Sequence, residues 1–485
     1  MKTIQTICAT AAALICCSTL LAEVPLKILE GESATTTRKS LTVLCQTSPD
    51  ASASINGQEL HVYRTGAFGT VLTLEPGTNT IMVRVKMNGE EASKKIEVKY
   101  TPKPAARPEA PKEKPFAALD AYGLTKEWAA LLYGTGTDRL GGSKMGYIDE
   151  GIVLKITGKT GNLYKVQLSE NRYAYINEED IQLSMNLSTN TVNSGNLSIV
   201  NGGKSDVITL PLIQRHPYAS SVNVKEGVLY VDLFGVTNNS NWVTHRRDLE
   251  MIDWVECRQI ESDVLRLEIA LQKKHIWGYA IKYDGNNLRI SVKHAPQEFS
   301  LNNLNIGLDA GHGGSALGAV SVTGAYEKDI NLDLCFRVKK LLEERGATVS
   351  MTRTTDESVS MTERKVRMLK ADVDMLVSIH NNAGGSAIKP MGTSCYYKHI
   401  QNREFAACIL DRLMKMEGVP NFGLTGNFNF ALGTPTEYPT MLVEGLFVSS
   451  MPDEEKLLME DSRQEIAERI VAGIEDYLAA VRRNP

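Results

Sequence analysis

From Lys27 to Tyr100 apolar and polar residues alternate in short runs, LTVLC, ELHVYRT, TVLTL, NTIMVRVKM and KKIEVKY. A period of two marks strands with one buried face, and Asn56-Gly57, Pro76-Gly77 and Asn88-Gly89 between the runs are turn dipeptides. Residues 23–100 are therefore expected to form a small β-sandwich. The alternation stops at residues 101–116, TPKPAARPEAPKEKPF, which cannot build a core and should run as a stiff, extended spacer.

Period-two strands return over residues 117–185, in GIVLKITGKTGNLYKVQLSENRYAYINEEDIQL, broken at Gly158, Gly161 and Asn171. This segment resembles a bacterial SH3-like barrel. Residues 186–299 carry further strands, GVLYVDLFG, DVLRLEIAL and LRISVKH, the last introduced by Asp284-Gly285. They predict another β-rich domain, similar to the wall-targeting domains that precede some cell-wall amidases.

The period changes at Leu304. LNIGLDA reads as a buried strand, and KDINLDLCFRVKKLLEERG sets Ile330, Leu334, Val338, Leu341 and Leu342 on one helical face, with Gly346 as the stop. ATVSMT is a strand, and Ser360 with Glu363 forms a capping box for a helix through Leu369. MLVSIH and GTSCYY are strands. EFAACILDRLMKM repeats Phe405, Cys408, Ile409, Leu413 and Met416 at helical spacing, TMLVEG is a strand, and one long helix should run from about Glu454 to Val481. Strands alternating with helices predict that residues 300–485 form an α/β domain with a mainly parallel sheet covered by helices. The chain as a whole is thus multidomain, N-terminal all-β domains followed by this one, as 485 residues require.

A net charge of −4 offers no basic surface to displace counterions, which argues against a nucleic-acid partner. The first residues place Lys2 before an apolar run that ends in small residues at Ala22. That is the layout of a signal peptide over residues 1–22, so the protein is expected to be exported, to the periplasm or beyond the cell. Three of the eight cysteines fall in it. Cys45, Cys257, Cys335, Cys395 and Cys408 are scattered through apolar segments without metal spacing and read as small buried hydrophobes.

In open parallel sheets ligands gather at the carboxyl ends of the strands. His312 lies just past IGLDA, His380 closes MLVSI and Glu444 closes TMLV, while Glu327 enters from the start of the first helix. A carboxylate ending an apolar strand costs several kcal/mol to bury without a counter-charge, so Glu444 asks for a cation. Two imidazoles and a carboxylate are a common shell for catalytic zinc, which lowers the pKa of a water and polarises a carbonyl; a nearby carboxylate then moves the proton. Glu444 suits that general-base role. Gly311, Gly313 and Gly314 leave room for close approach, and HExxH is absent.

The motifs IGLDAGHGG, YEKDINLDL, TRTTDESVSMTER, LVSIHNNA and YPTMLVEGLFVSS, in this order between residues 304 and 481, resemble the zinc-dependent N-acetylmuramoyl-L-alanine amidases of the type-3 family, cell-wall hydrolases related to bacterial division amidases. The resemblance implies one Zn2+ held by His312, Glu327 and His380, Glu444 as the catalytic carboxylate, and hydrolysis of the amide between N-acetylmuramic acid and the L-alanine of the stem peptide. It implies peptidoglycan or muropeptides as substrate, with cell-wall or division proteins as candidate partners. Asn382 keeps the family's His-x-Asn pattern and is a candidate for positioning substrate or a ligand; Asp309 is a candidate for orienting a ligating histidine. Ala310 stands where the family has Pro, and EGLF replaces ELGF. A zinc peptidase cutting within stem peptides and a non-catalytic peptidoglycan-binding protein are the competing readings. Only a short Gly- and Pro-containing loop follows Asn382, too short for the inserted helix that covers the metal in some division amidases, so a fragment from Ser300 is expected to cleave soluble muropeptides unaided.

Overall fold

A computed structural model describes residues 24–103, 115–136, 138–184 and 186–483. The signal segment expected over residues 1–22 lies outside them, as does most of the expected spacer. The chain divides into two compact units, Met1–Lys103 and Pro104–Pro485.

In the first unit a three-stranded sheet (Lys27–Glu30, Ser40–Gln46, Ala67–Thr73) and a five-stranded sheet share one core built on Val43, Phe68, Val83 and Val98. The dipeptides do what their chemistry predicts. Asn56-Gly57 and Asn88-Gly89 both take positive φ and close two-residue hairpins, where that backbone twist matches the strands.

In the second unit, residues 117–184 form a seven-stranded antiparallel sheet, and residues 192–293 contribute sheets of two, five and four strands. Apolar side chains from Ala129 to Val292 merge into a single core across both segments. Trp277 belongs elsewhere: it is 1% exposed within the core of residues 301–481, stacked on Tyr477 and tilted against Phe299.

Residues 305–447 supply a six-stranded sheet in the order Thr348–Met351, Asn305–Ala310, Met375–Asn382, Thr440–Phe447, Thr393–Tyr396 and Asn421–Thr425. Every neighbouring pair is parallel except Thr440–Phe447 with Thr393–Tyr396. The expected mainly parallel sheet is what forms. Met375, Val377 and Ile379 alternate with Leu376, so the strand buries both faces. Helices α1 (Glu327–Glu344), α3 (Arg403–Leu413) and α5 (Glu460–Arg483) cover one face, and α2 (Met361–Lys370) packs Met368 against Leu376 on the other. The Ser360 side chain accepts from the Glu363 amide at 3.1 Å, which is one half of the expected capping box, while the Glu363 carboxylate accepts from Arg367.

The single C-terminal helix expected from Glu454 to Val481 is instead two, α4 (Met451–Leu458) and α5, broken where Met459 turns extended (φ −86°, ψ 134°). Helical phase explains the break. Leu457 and Ile466 are both fully buried in the same core, yet nine residues apart they would face opposite sides of one straight helix, at about 100° per residue. The described cysteines are free, with Cys45, Cys335 and Cys395 buried. No described helix is long and apolar enough to cross a membrane.

Candidate metal centre

The strand Asn305–Ala310 delivers the chain to His312, whose backbone takes the left-handed conformation at φ 62°. A non-glycine residue there needs outside support. Two buried arginines provide it. Arg364 donates to the carbonyls of Ala310 (2.8 Å) and His312 (2.5 Å), and Arg353 donates to those of Ala310 (2.9 Å) and Gly311 (3.0 Å). Gly311 is required by crowding, since a Cβ there would meet the His380 ring at 2.3 Å. Gly313 and Gly314 face the segment around Glu357 and Ser358, so their space is used by the protein's own backbone.

Glu327 opens α1, where a carboxylate complements the helix dipole. Its two oxygens face the two histidines: Oε2 lies 3.2 Å from His312 Nε2, and Oε1 lies 3.1 Å from His380 Nδ1. The Ala319 and Asn381 amides and the Asn331 side-chain amide also donate to it. Burial works to raise the Glu327 carboxyl, but the hydrogen bonds and charge of both histidines outweigh it and hold the group well below the usual carboxylate range. Burial likewise opposes protonation of His380, and Glu327, Glu444 and Asp309 reverse that, raising it.

Donor atoms of His312, Glu327 and His380 all lie within 4.8 Å of one another. The His312 and His380 side chains remain 32% and 20% exposed, so the cluster reaches solvent, while Glu327 is 5% exposed. Glu444 pairs with His380 across parallel strands. Both strands run past these residues, to Asn382 and Phe447, so neither residue closes its strand as expected; the register shifts just beyond them. Glu444 Oε2 is buried without a hydrogen-bond partner among the described residues, and burial pushes its carboxyl up to about 7, against the charge of His380 and Arg139.

Asp309 contacts neither histidine ring. Its carboxylate accepts from Thr352, Arg364 and Ser378, each at 2.6 Å, so it reaches His312 through Arg364. Asn382 sits half-buried at the end of its strand and accepts from the Ala383 amide. The loop from Ala383 to Gly392 carries no helix. Asn331, Asn381, Arg353 and Arg364 were not picked out from the sequence. Asn331 had a local signal, one helical turn after Glu327, and Asn381 directly follows His380; the arginines act across more than 40 residues and had none.

The fold and site thus define an α/β protein whose sheet edge gathers a His–Glu–His donor set beside a buried carboxylate. Residues 306–476 match the family model described as N-acetylmuramoyl-L-alanine amidase. The chain is 33% identical over 174 residues to the uncharacterized protein YqiI of Bacillus subtilis, covering 35% of this chain and 82% of YqiI. It is also 33% identical over 196 residues to the probable cell wall amidase LytH of Staphylococcus aureus, covering 40% of this chain and 65% of LytH. The chain belongs to the N-acetylmuramoyl-L-alanine amidase family. Among solved structures it is similar to the catalytic domain of CwlV from Bacillus (Paenibacillus) polymyxa, at 29% identity and TM-score 0.35 over 36% of this chain and 98% of that one. It is likewise similar to the CwlD amidase of Clostridioides difficile in complex with the GerS lipoprotein, at 28% identity and TM-score 0.33 over 37% and 100%.

Proposed function

We propose that this protein is an exported zinc-dependent hydrolase that cleaves the amide between the lactyl group of N-acetylmuramic acid and the L-alanine of the stem peptide. The observation that carries the reading is the convergence of two imidazoles and a carboxylate beside an unpartnered buried Glu444 oxygen. The donor set suits Zn2+, and a cation near His380 would give that oxygen the counter-charge its burial calls for. His312, Glu327 and His380 would hold one ion, and Asn331, Asn381 and Arg364 fix the orientation of that shell. Zinc bound there supplies a Lewis acid that polarises the scissile carbonyl and makes a water more acidic. Glu444 is the general base: its carboxylate takes a proton from the attacking water as the hydroxyl adds to the carbonyl carbon, then gives it to the alanine nitrogen as the C–N bond breaks.

Export to the periplasm or beyond places the enzyme where this substrate lies, and the β-domains, including the SH3-like segment of residues 117–185, would hold it against the wall. The test is a digest of purified peptidoglycan with products identified by mass. Expected are glycan strands stripped of peptide, together with peptides bearing a free L-alanine amine. Fragments cut within the stem would instead mark a peptidase, and an undigested wall that retains the protein would mark a binding module.

A further inference from the structure

Between the sheet of residues 117–184 and the strands of residues 192–293 lies a cavity of about 330 Å³ that uses no residue of the catalytic sheet. One wall is a row of side chains on the first sheet. Lys155 lies directly across from Tyr122 on one neighbouring strand and from Gln167 on the other, and all three line the cavity. Side chains opposed in this way stand about 5 Å apart on a shared face. The facing wall is built by two turns that grip each other: the Glu170 amide donates to Asp263 Oδ2 at 2.7 Å, Ser262 Oγ donates to the Glu170 carboxylate at 3.0 Å, and Arg172 pairs with Glu261. The cavity meets solvent past exposed Asn190.

Three of its lining residues carry a buried polar atom with no hydrogen-bond partner among the described residues: His216 Nε2, Ser169 Oγ and Asp263 Oδ1. His216 is 1% exposed and held in place, its amide donating to Tyr283 OH at 2.9 Å and its carbonyl accepting from that hydroxyl at 2.8 Å. Its Nδ1 faces the Phe234 carbonyl at 3.0 Å and must donate to it, which leaves Nε2 of the neutral ring as an acceptor. Burial keeps the ring neutral, pushing its pKa below the ordinary value against that hydrogen bond. Serine, histidine and aspartate are the residue types of a nucleophile relay, but Nδ1 is spent on a backbone carbonyl and Nε2 has no bond to Ser169, so nothing activates the hydroxyl. The opposite sign comes from Lys155. Its ammonium pairs neither with Asp263 nor with any other described residue, so one cavity holds an unpaired cation and an unpaired carboxylate oxygen on residues of different segments.

We propose that this cavity binds a free amino acid, whose ammonium is taken by Asp263, His216 and Ser169 and whose carboxylate pairs with Lys155. An ammonium presents three hydrogens and no acceptor, the complement of three unmet acceptor atoms. A neutral sugar would leave the charges of Lys155 and Asp263 unanswered. A metal ion needs its donors gathered at a point, and no third His, Cys, Asp or Glu donor among the described residues clusters with His216 and Asp263. The volume is at the lower end of cavities that hold small ligands, as a ligand of this size requires. No catalytic residue takes part, so the site stands apart from the amidase reading.

The experiment titrates glycine, N-acetylglycine and glycinamide into the full mature protein and follows binding by ligand-detected NMR. Glycine should bind at least about tenfold more tightly than either probe that lacks one charge, the worth of one charge-assisted hydrogen bond. Lys155→Met removes the cation and keeps the apolar stem; Asp263→Asn keeps an oxygen for the Glu170 amide and turns the free acceptor into a donor. Each should weaken glycine binding by about tenfold while the thermal midpoint and zinc content stay close to wild type. Glycine can also chelate zinc, so the part of its binding that these variants remove is the reading. Glycine binding that both variants leave unchanged, or no glycine binding at all, would overturn the proposal. So would equal binding of all three probes, or a second zinc ion per chain that Asp263→Asn abolishes, because the unmet acceptors would then belong to a metal.

Discussion

At the residue scale the proposed mechanism separates metal holding from proton transfer. His312→Ala or His380→Ala leaves two donors, so each variant is expected to lose both bound zinc and hydrolysis; elemental analysis beside an activity assay checks it, and full activity in a metal-free sample would contradict it. Glu444→Gln keeps the three donors and loses the proton acceptor. It should arrive with near-stoichiometric zinc while turnover falls by roughly 10²- to 10⁴-fold, the usual worth of general-base catalysis. A variant purified without metal would make Glu444 a ligand. The four central residues were legible because their types are costly where they stand: a histidine between glycines, and a carboxylate following the apolar run TMLV, need a chemical reason. What holds them was not legible. Arg353 and Arg364 bond backbone carbonyls of residues 310–312 from another part of the chain, and an arginine with that role has the same sequence appearance as one facing solvent. Asp309 shows the same limit, since its nearness to His312 in sequence suggested an imidazole partner and the fold gave it Arg364 instead.

At the scale of elements, patterns that depend on neighbouring residues were readable and those that depend on tertiary phase were not. The hairpins at Asn56-Gly57 and Asn88-Gly89, the Ser360 cap and the alternation of strands and helices all follow from local chemistry. The break at Met459 shows in the sequence only as a slip of helical phase between Leu457 and Ile466, which takes on meaning once both are found in one core. Helix α2 carries a second feature of this kind. Its Lys365, 3% exposed, rests 3.7 Å from the Tyr147 ring centroid and 4.8 Å from that of Trp128, with no ion-pair partner among the described residues. Burial pushes its ammonium down to about 8. A lysine whose folded pKa lies below its unfolded value binds fewer protons when folded, so the penalty is fully present below about pH 8 and is relieved as pH rises towards the unfolded value of 10.5. Lys365→Met keeps the apolar stem and removes the buried charge. Thermal unfolding should find the variant more stable at pH 7, by on the order of a few kcal/mol minus the attraction between the cation and the two rings, and should find a much smaller gain at pH 10. A variant less stable than wild type at pH 7 would show that the two rings hold the cation more strongly than burial disfavours it.

At the scale of the whole molecule, the second unit joins its β-segments to the catalytic sheet by more than a linker. Trp277 fills the core between Phe299 and Tyr477, His275 two residues before it contacts the Tyr477 hydroxyl at 3.1 Å, and the Tyr279 amide donates to the Thr436 carbonyl at 2.8 Å. A boundary drawn near residue 300 from the change of hydrophobic period follows the chain path, yet the core of residues 301–481 also takes in Trp277. The fragment from Ser300 to Pro485 keeps His312, Glu327, His380 and Glu444 with all the residues that orient them, so it should still hydrolyse a small soluble muropeptide at low temperature. It also opens a hole the size of an indole beside Tyr477 and loses Phe299, the tryptophan's other ring neighbour. Losing a fully buried tryptophan costs about 3–5 kcal/mol, so the fragment should lose its activity on heating well before the full mature protein does. Trp277→Ala in the full chain isolates that part of the effect. It should lower the thermal midpoint of the second unit while leaving zinc content and low-temperature hydrolysis close to wild type, because no described contact joins Trp277 to the metal-holding side chains. A fragment as heat-stable as the parent, with Trp277→Ala costing less than about 1 kcal/mol, would mean that the catalytic core closes over the gap by itself and that the tryptophan only docks on its surface.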